Sequence, residues 1–277
     1  MQTIALALGA GGARGLAHIH VISAMEELGV RPVAVSGASI GGIIGAAYCA
    51  GLTAKDLQDH IKSVLKDPLS LMWDLFSAGP DSIKAFFKDG GPRIGQFNLE
   101  RMLEGILPED FPRTFEELEI PLKISATDYY GACATVLETG DLRFAMAASS
   151  AIPAVFLPVE RDGRFYIDGN ATDPCPIDIV QGLADHVIAV DVSGGVTGDK
   201  TKRPSMFDVS YAAGQMMQQA IVRSNASKFP NTILLRPPVD AFFALDFHKA
   251  EEVLAQTLRL KEEAKSAIDA IMTDASK

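Results

Sequence analysis

The chain has 277 residues, of which 48% are apolar and 22% charged, and its 25 basic and 35 acidic side chains give a net charge of −10. These proportions are ordinary for a folded globular protein and exclude a disordered, collagen-like or disulfide-scaffolded chain. The acidic balance argues against nucleic acid as a partner, because nucleic-acid binding needs a positive surface that displaces counterions.

Short strand and helix patterns alternate through the first fifty residues. An apolar run over 3–8 ends in a glycine-rich turn, and apolar residues spaced by three over 16–28 then predict a helix. A second strand pattern at 33–35 leads through a sharp turn into a helix of small residues that ends at Gly51. This order is typical of a parallel sheet that is covered on both faces. We predict an α/β fold with three αβα layers and a mainly parallel central sheet.

Residues 53–112 have a different character. Lysines are mixed there with large apolar residues, including Trp73, Phe76, Phe86 and Phe87. The pattern predicts short helices and loops inserted between sheet strands. Two interpretations remain open: these apolar residues pack against the sheet, or they form a lid or a lipid-facing surface beside the active site.

The remaining elements complete one predicted domain over 1–277, because no repeat, low-complexity tract or linker divides the chain. Its C-terminal part, 200–277, is predicted to be a helical extension with one strand. Strands are predicted at 122–127, 135–137, 164–167, 186–192 and 231–235, and helices at 209–224 and about 247–272. The last helix is amphipathic, with Val253, Leu254, Leu258, Leu260, Ala264, Ile268 and Ile271 as its apolar positions.

Cysteine spacing and hydropathy bear on the compartment. Cys49, Cys133 and Cys175 lie far apart and form no CxxC pair, so we expect reduced thiols and neither a disulfide framework nor a metal site. The first residues carry no basic region, and the longest nearly apolar stretch, 40–52, is shorter than the roughly 20 residues of a membrane-spanning helix. We expect a soluble, cytoplasmic chain without a signal peptide, whose contact with a membrane or micelle surface is peripheral.

A Gly37-x-Ser39-x-Gly41 motif lies between a predicted strand and a predicted helix. A serine hydroxyl is a poor nucleophile unless it is held clear of the backbone beside a base, and a tight turn flanked by glycines can hold it so. The N-terminus of the following helix also favours developing negative charge. Ser39 is therefore a candidate nucleophile, with an ordinary helix N-cap as the alternative.

The glycine-rich turn over 9–15 is a candidate anion site, because it follows a strand, precedes a helix and exposes successive backbone N–H groups. A dinucleotide fingerprint would need glycine at the sixth position from Gly9, where Arg14 stands, and the lysine of a P-loop is absent. The turn suits the transient oxyanion of acyl transfer better. Arg14 either pins the turn through carbonyl groups or faces the substrate.

The candidates for a catalytic base are histidines and one aspartate. A Ser-His-Asp triad would need His60, His186 or His248, none of which stands in a glycine- or aspartate-rich loop. Asp168 ends a strand pattern immediately before Gly169. Open parallel sheets collect functional groups at strand ends, so Asp168 is a candidate base, with simple turn initiation as the alternative.

In this order, Gly9-x-Gly11-Gly12-x-Arg14-Gly15, Gly37-x-Ser39-x-Gly41 and Asp168-Gly169 resemble the motifs of the patatin-like phospholipase family. The resemblance extends over about residues 3–192 and is to the bacterial, intracellular serine-esterase and lysophospholipase-like members. It also includes Ala126-Thr127-Asp128, the block from Ala147 to Pro153, and Phe156-x-Pro158.

The resemblance implies a Ser–Asp dyad without histidine, in which Ser39 is the nucleophile and Asp168 the general base. It further implies an oxyanion hole formed by the backbone N–H groups of Gly11, Gly12 and Ala13, with Arg14 supporting that loop. The implied substrate is a lipid acyl ester (a phospholipid, lysophospholipid or neutral ester), and no metal or organic cofactor is implied. Because a free aspartate is a weak base, we expect desolvation to raise the pKa of Asp168.

Three residues depart from the family's usual pattern. Asn170 stands where a small residue is usual, Asp173 where asparagine is usual, and His20 where many relatives have glycine. We expect Asp173 either to repel the base and raise its pKa or to point into solvent, and His20 to crowd the first helix near the glycine-rich turn. Two other classes remain as alternatives: an α/β-hydrolase-like esterase with a Ser-His-Asp triad, and a non-enzymatic lipid- or partner-binding module on the same fold.

Overall fold

The structure is a computed structural model that describes residues 2–65, 99–196 and 201–274. Most of the predicted insertion, including Trp73, Phe76, Phe86 and Phe87, lies outside the described residues. The helices within them are α1 His18–Glu27, α2 Ile40–Cys49, α3 Ala54–Leu65, α4 Leu99–Ile106, α5 Leu142–Ser149, α6 Met206–Ser227, α7 Ala250–Gln256 and α8 Arg259–Asp274.

The strands of the described residues are β1 Ile4–Leu8, β2 Ala34–Ala38, β3 Leu122–Asp128, β4 Cys133–Leu137, β5 Val159–Arg161, β6 Arg164–Asp168, β7 His186–Val190 and β8 Thr232–Leu235. They form one mixed sheet in the order β5-β6-β3-β2-β1-β7-β8, with β4 paired to β3. Pairs β1–β2, β1–β7, β2–β3 and β7–β8 are parallel, and β3 is antiparallel to β4 and β6.

Helices cover both faces of the sheet, as the alternation of buried side chains along β1 makes plain. Ile4, Leu6 and Leu8 belong to a core shared with α1, α2, α5 and α8, while Ala5 and Ala7 belong to a core shared with α6 and the 3₁₀ turn Asp178–Val180. A strand buried on both faces is the mark of a parallel sheet between two helical layers. The predicted three-layer α/β fold is therefore confirmed. Cys49, Cys133 and Cys175 are free thiols.

The long strand β3 brings two other strand ends together. Residues Leu122–Ser125 pair with β2, and Ala126–Asp128 pair with β6, while β4 lies along Ile124–Asp128. A strand has two edges, so β2 and β6 share the edge that β4 leaves open. Because β2 runs parallel to β3 and β6 antiparallel, their carboxyl ends face each other along that edge.

Two predicted boundaries differ from the structure. The second strand extends to Ala38, because Gly37 and Ala38 still pair with neighbouring strands. The predicted last helix is three elements, a 3₁₀ turn at Phe247–Lys249 followed by α7 and α8. The break falls at Thr257 and Leu258, whose carbonyl groups accept from the N–H groups three residues on, of Leu260 and Lys261, in place of the α-helical pattern. No helix among the described residues is long and apolar enough to cross a membrane.

Two leucines that the periodicity places on one helix follow the break at Thr257 and differ in burial, which generates a matched stability test. Leu260 is 1% exposed in the main core, whereas Leu258 is 59% exposed. We expect Leu260→Ala to lower the free energy of unfolding by about 2–5 kcal/mol, through lost burial and a cavity. Leu258→Ala should change it by about 0.5 kcal/mol or less. Denaturant unfolding of both variants checks this, and equal effects would contradict the placement of α8.

Candidate active site

Ser39 sits in a strained turn between the end of β2 and the start of α2. Its backbone has φ 53° and ψ −126°, a region that non-glycine residues rarely adopt, and the residue is buried. Its flanking glycines are required by space: a Cβ on Gly41 would lie 2.2 Å from the Leu8 carbonyl oxygen, and one on Gly37 2.5 Å from Gly41. The turn therefore depends on both glycines of the motif.

The hydroxyl of Ser39 does not cap α2, so the helix N-cap alternative fails. Instead, Oγ donates a hydrogen bond to Oδ2 of Asp168 at 2.7 Å. The other carboxylate oxygen, Oδ1, accepts from the backbone N–H of Asn170 at 2.8 Å. The two candidate residues lie 129 positions apart in sequence and meet because β2 and β6 end head-on beside β3.

Asp168 is only 3% exposed, and this burial raises the pKa of its carboxyl to about 6. The hydrogen bonds from Asn170 and Ser39 act in the opposite direction, since they favour the charged form. Asp173 does not contribute to this shift, so the first alternative for Asp173, repulsion of the base, is not seen. The second, a side chain that points into solvent, is not seen either, because Asp173 is 5% exposed, and this burial raises the pKa of its own carboxyl to about 7.

Ser149 supports the turn in a role that the sequence analysis did not assign. Its Oγ accepts from the backbone N–H of Ser39 at 2.7 Å and donates to the carbonyl of Ser125 at 2.6 Å. Thr127 donates to the carbonyl of Asp168 at 3.0 Å. These bonds tie both site residues to β3, and Gly169 allows the close approach, because a Cβ there would lie 2.2 Å from the Ser125 carbonyl oxygen.

The glycine-rich turn lies against this site but offers fewer free donors than predicted. A Cβ on Gly15 would lie 2.3 Å from Cγ2 of Ile40, the residue after Ser39. The N–H of Ala13 donates to the Ala244 carbonyl at 2.7 Å, which corrects the expectation that Ala13 serves the oxyanion hole. The N–H groups of Gly11 and Gly12 bond to no other described residue and remain the candidate donors to an oxyanion.

Arg14 pins the turn rather than facing a substrate. Its guanidinium is buried, Nε donates to the Gly11 carbonyl at 3.0 Å, and Nη1 donates to Oε1 of Gln215 at 2.8 Å. Burial lowers the pKa of this guanidinium, and nearby acidic groups, among them Asp191, partly offset the effect.

The histidines lie elsewhere. His60 contacts the Ile106 carbonyl at 2.6 Å, His186 begins β7 at the opposite end of the sheet, and His248 lies in the turn Phe247–Lys249. Within the described residues no histidine bonds to Ser39 or Asp168, so the triad alternative has no support there. His20 contacts the Leu254 carbonyl at 2.9 Å and so joins α1 to α7. The described residues contain no cluster suited to a metal ion.

The buried carboxyl of Asp168 generates a prediction about stability. Its pKa rises from 3.8 in the unfolded chain to about 6 in the folded one, so the folded state retains a proton that the unfolded state loses between these values. Wild-type stability from this group is therefore full below pH 3.8 and is lost as the pH rises through about 6. Asp168→Asn removes the titration.

We expect the unfolding free energy of Asp168→Asn, relative to wild type, to increase by up to about 3 kcal/mol between pH 4 and pH 7. Denaturant titrations across this range measure the difference. Asp162→Asn is the control, because this exposed carboxylate stays in water in both states. A difference that is independent of pH would refute the buried-carboxyl account.

Comparison with known proteins gives the family. A family model described as patatin-like phospholipase matches residues 6–180. The uncharacterized NTE family protein Rv1063c of Mycobacterium tuberculosis is 35% identical over 196 residues, which are 70% of this chain and 50% of that protein. Human patatin-like phospholipase domain-containing protein 6 is 27% identical, over 91% of this chain and 19% of that protein.

Among solved structures, VipD from Legionella pneumophila matches with a TM-score of 0.46 and 16% identity, over 95% of this chain and 67% of that one. ExoU, a type III effector protein, matches with a TM-score of 0.42 and 15% identity, over 96% and 53%. The chain spans half the length of the mycobacterial relative. On the match over residues 6–180, the chain belongs to the patatin-like phospholipase family.

Proposed function

We propose that this chain is a serine acyl-ester hydrolase of the phospholipase A, lysophospholipase or esterase type, acting on lipid esters. The observation that carries the proposal is the 2.7 Å hydrogen bond from Ser39 to a buried Asp168, formed at a strained turn. A relative from Aspergillus fumigatus, 25% identical over 91% of this chain, is named lysophospholipase nte1, which supports the substrate class.

In the proposed mechanism, Ser39 Oγ attacks the ester carbonyl carbon while Asp168 accepts the hydroxyl proton. The negative charge that develops on the carbonyl oxygen is stabilised by the N–H groups of Gly11 and Gly12. Asp168 then returns the proton to the departing alcohol, which leaves an acyl-serine. A water molecule, deprotonated by Asp168, attacks this ester, and the fatty acid departs as the proton returns to Ser39. A base with a pKa of about 6 is largely ionised at neutral pH yet stronger than a solvated aspartate.

An apolar groove at the carboxyl end of the parallel strands, the end at which Ser39 lies, supports the proposal that the substrate carries a lipid acyl chain. It has a volume of about 460 Å³ and lies between α6 and the loops that follow β7 and β8. Those loops adjoin the glycine-rich turn, since a Cβ on Gly194 would clash with Arg14, and Ala244 bonds to Ala13. Its apolar lining includes Val196, Val209, Ala213, Met216, Phe242 and Phe243.

Exposed apolar side chains beside the groove support a peripheral contact with a lipid surface. Four apolar side chains there are at least half exposed: Met206, Val209, Phe243 and Leu245. We therefore propose that this side of the protein approaches a membrane or micelle surface. The free cysteines favour a cytoplasmic enzyme.

The dyad is tested by covalent labelling. A fluorescent fluorophosphonate should label wild type at Ser39, located by mass spectrometry, with a rate that rises with pH through about 6 as Asp168 ionises. Ser39→Ala should not be labelled. The labelling rate of Asp168→Asn should be lower than that of wild type by about 100-fold or more, because this variant lacks the general base.

Ser266→Ala is the control, because this exposed serine lies on α8. It should label like wild type. Labelling of Asp168→Asn at the wild-type rate would refute the proposed dyad. A wild-type protein that is not labelled would favour the non-enzymatic binding module.

The groove is tested by chain-length selectivity. Met216 lines the groove and its neighbour Met217 does not. We expect Met216→Trp to lower kcat/KM for a p-nitrophenyl dodecanoate about 10-fold, because it displaces about two methylenes at about 0.8 kcal/mol each. The butyrate ester should be unaffected, and Met217→Trp should leave both esters unchanged. Equal losses on both esters in Met216→Trp would place the acyl chain elsewhere.

A further inference from the structure

Gln215, on the inner side of α6, connects the C-terminal part of the chain to the glycine-rich turn. It is 5% exposed, and its Oε1 accepts two hydrogen bonds, from Arg14 Nη1 at 2.8 Å and from the Gly194 N–H at 2.7 Å. A carbonyl oxygen has two lone pairs, so this side-chain oxygen is fully used. The residue lies outside the 6–180 range of the family match.

The loop after β7 closes this network. A Cβ on Gly194 would lie 1.7 Å from Arg14 Nη1, so only glycine lets the loop pass the guanidinium. The carbonyl of Gly194 accepts from Nε2 of Gln219 at 2.7 Å. Arg223 donates in turn to Oε1 of Gln219 at 3.1 Å. Gln215 and Gln219, one helical turn apart, thus hold both backbone groups of Gly194.

Arg14, which Gln215 holds, in turn fixes the orientation of the peptide between Gly11 and Gly12. Its Nε donates to the carbonyl of Gly11, and that carbonyl shares a planar trans peptide with the N–H of Gly12. Fixing the oxygen therefore fixes the N–H, which points to the opposite side. A charged donor on the carbonyl also polarises the peptide and strengthens its N–H as a hydrogen-bond donor.

We propose that Gln215 is a positioning residue of the oxyanion hole, acting through Arg14 and the Gly11 carbonyl on the N–H of Gly12. The inference rests on the proposed function, since it assigns Gly12 a role in acyl transfer. Gln219 is the secondary support, because it holds Gly194 rather than Arg14.

The experiment compares three substitutions at Gln215 with one matched control. Gln215→Met keeps the length and removes the acceptor, Gln215→Asn keeps an amide but withdraws it by one methylene, and Gln215→Glu keeps an acceptor oxygen for Arg14. Gln218→Met is the same change three residues along the helix, at a half-buried position. The butyrate ester is the substrate, so that acyl-chain binding does not enter.

We expect Gln215→Met and Gln215→Asn to lower kcat about 10- to 100-fold with little change in KM, because loss of one oxyanion donor costs about 100- to 1000-fold and misorientation costs less. Gln215→Glu should recover most of this loss, and Gln218→Met should match wild type. Values of kcat within twofold of wild type for Gln215→Asn would overturn the proposal, as would equal losses in Gln218→Met.

A second readout keeps the positioning role separate from catalysis. Hydrogen exchange of the peptide spanning 9–17, followed by mass spectrometry, should be faster in Gln215→Met and Gln215→Asn than in wild type and near normal in Gln215→Glu. Unchanged exchange would overturn the proposal whether or not the wild type hydrolyses esters. Failure of the proposed function itself would appear as absent labelling of Ser39 in wild type.

Discussion

The head-on approach of two strand ends beside β3 is the constraint on which the site depends. β2 and β6 reach the same edge of β3 from opposite directions, and the residues that follow or end them, Ser39 and Asp168, come within 2.7 Å. Backbone ladder bonds on both strands set this distance, so it does not depend on a mobile loop. A sheet is stiff along its hydrogen bonds, which preorganises the nucleophile beside its base.

Burial of Asp168 favours the proposed reaction and at the same time lowers the stability of the folded protein. The carboxyl has lost its water, which makes it a stronger base, and the same loss makes its charged form costly in the folded state. The strained backbone of Ser39 is a second cost at the same place. The close contacts of the glycines and the hydrogen bonds of Ser149 and Thr127 hold the turn in place in spite of these two costs.

The sequence was informative wherever a residue type is demanded by local geometry. The glycines around Ser39 and the Asp168-Gly169 pair are visible as motifs because close contacts at those positions tolerate no Cβ. The α/β fold followed from hydrophobic periodicity and is confirmed, and the family resemblance is confirmed by the match over residues 6–180. The site roles of these residues and the single-domain organisation remain predictions.

Long-range partners left no such signal. Nothing local to Ala13 reveals that Ala244 takes its N–H, and nothing local to Gln215 reveals Arg14. Ser149 lay in a block that carried only the resemblance, and its bridge to Ser39 exists only once α5 packs beside β3. The antiparallel direction of β6, which decides where Asp168 points, is a property of chain connection and not of the residues in the strand.

The bond between Arg14 and Gln215 closes a loop of 201 residues. Ribosomes deliver chains from the amino end, so Ser39 and Asp168 are available to meet before α6 has left the ribosome. The glycine-rich turn, which is synthesised before either member of the dyad, therefore waits for residues that follow both: Gln215 for Arg14 and Ala244 for Ala13. One end of the chain is held in place by the other.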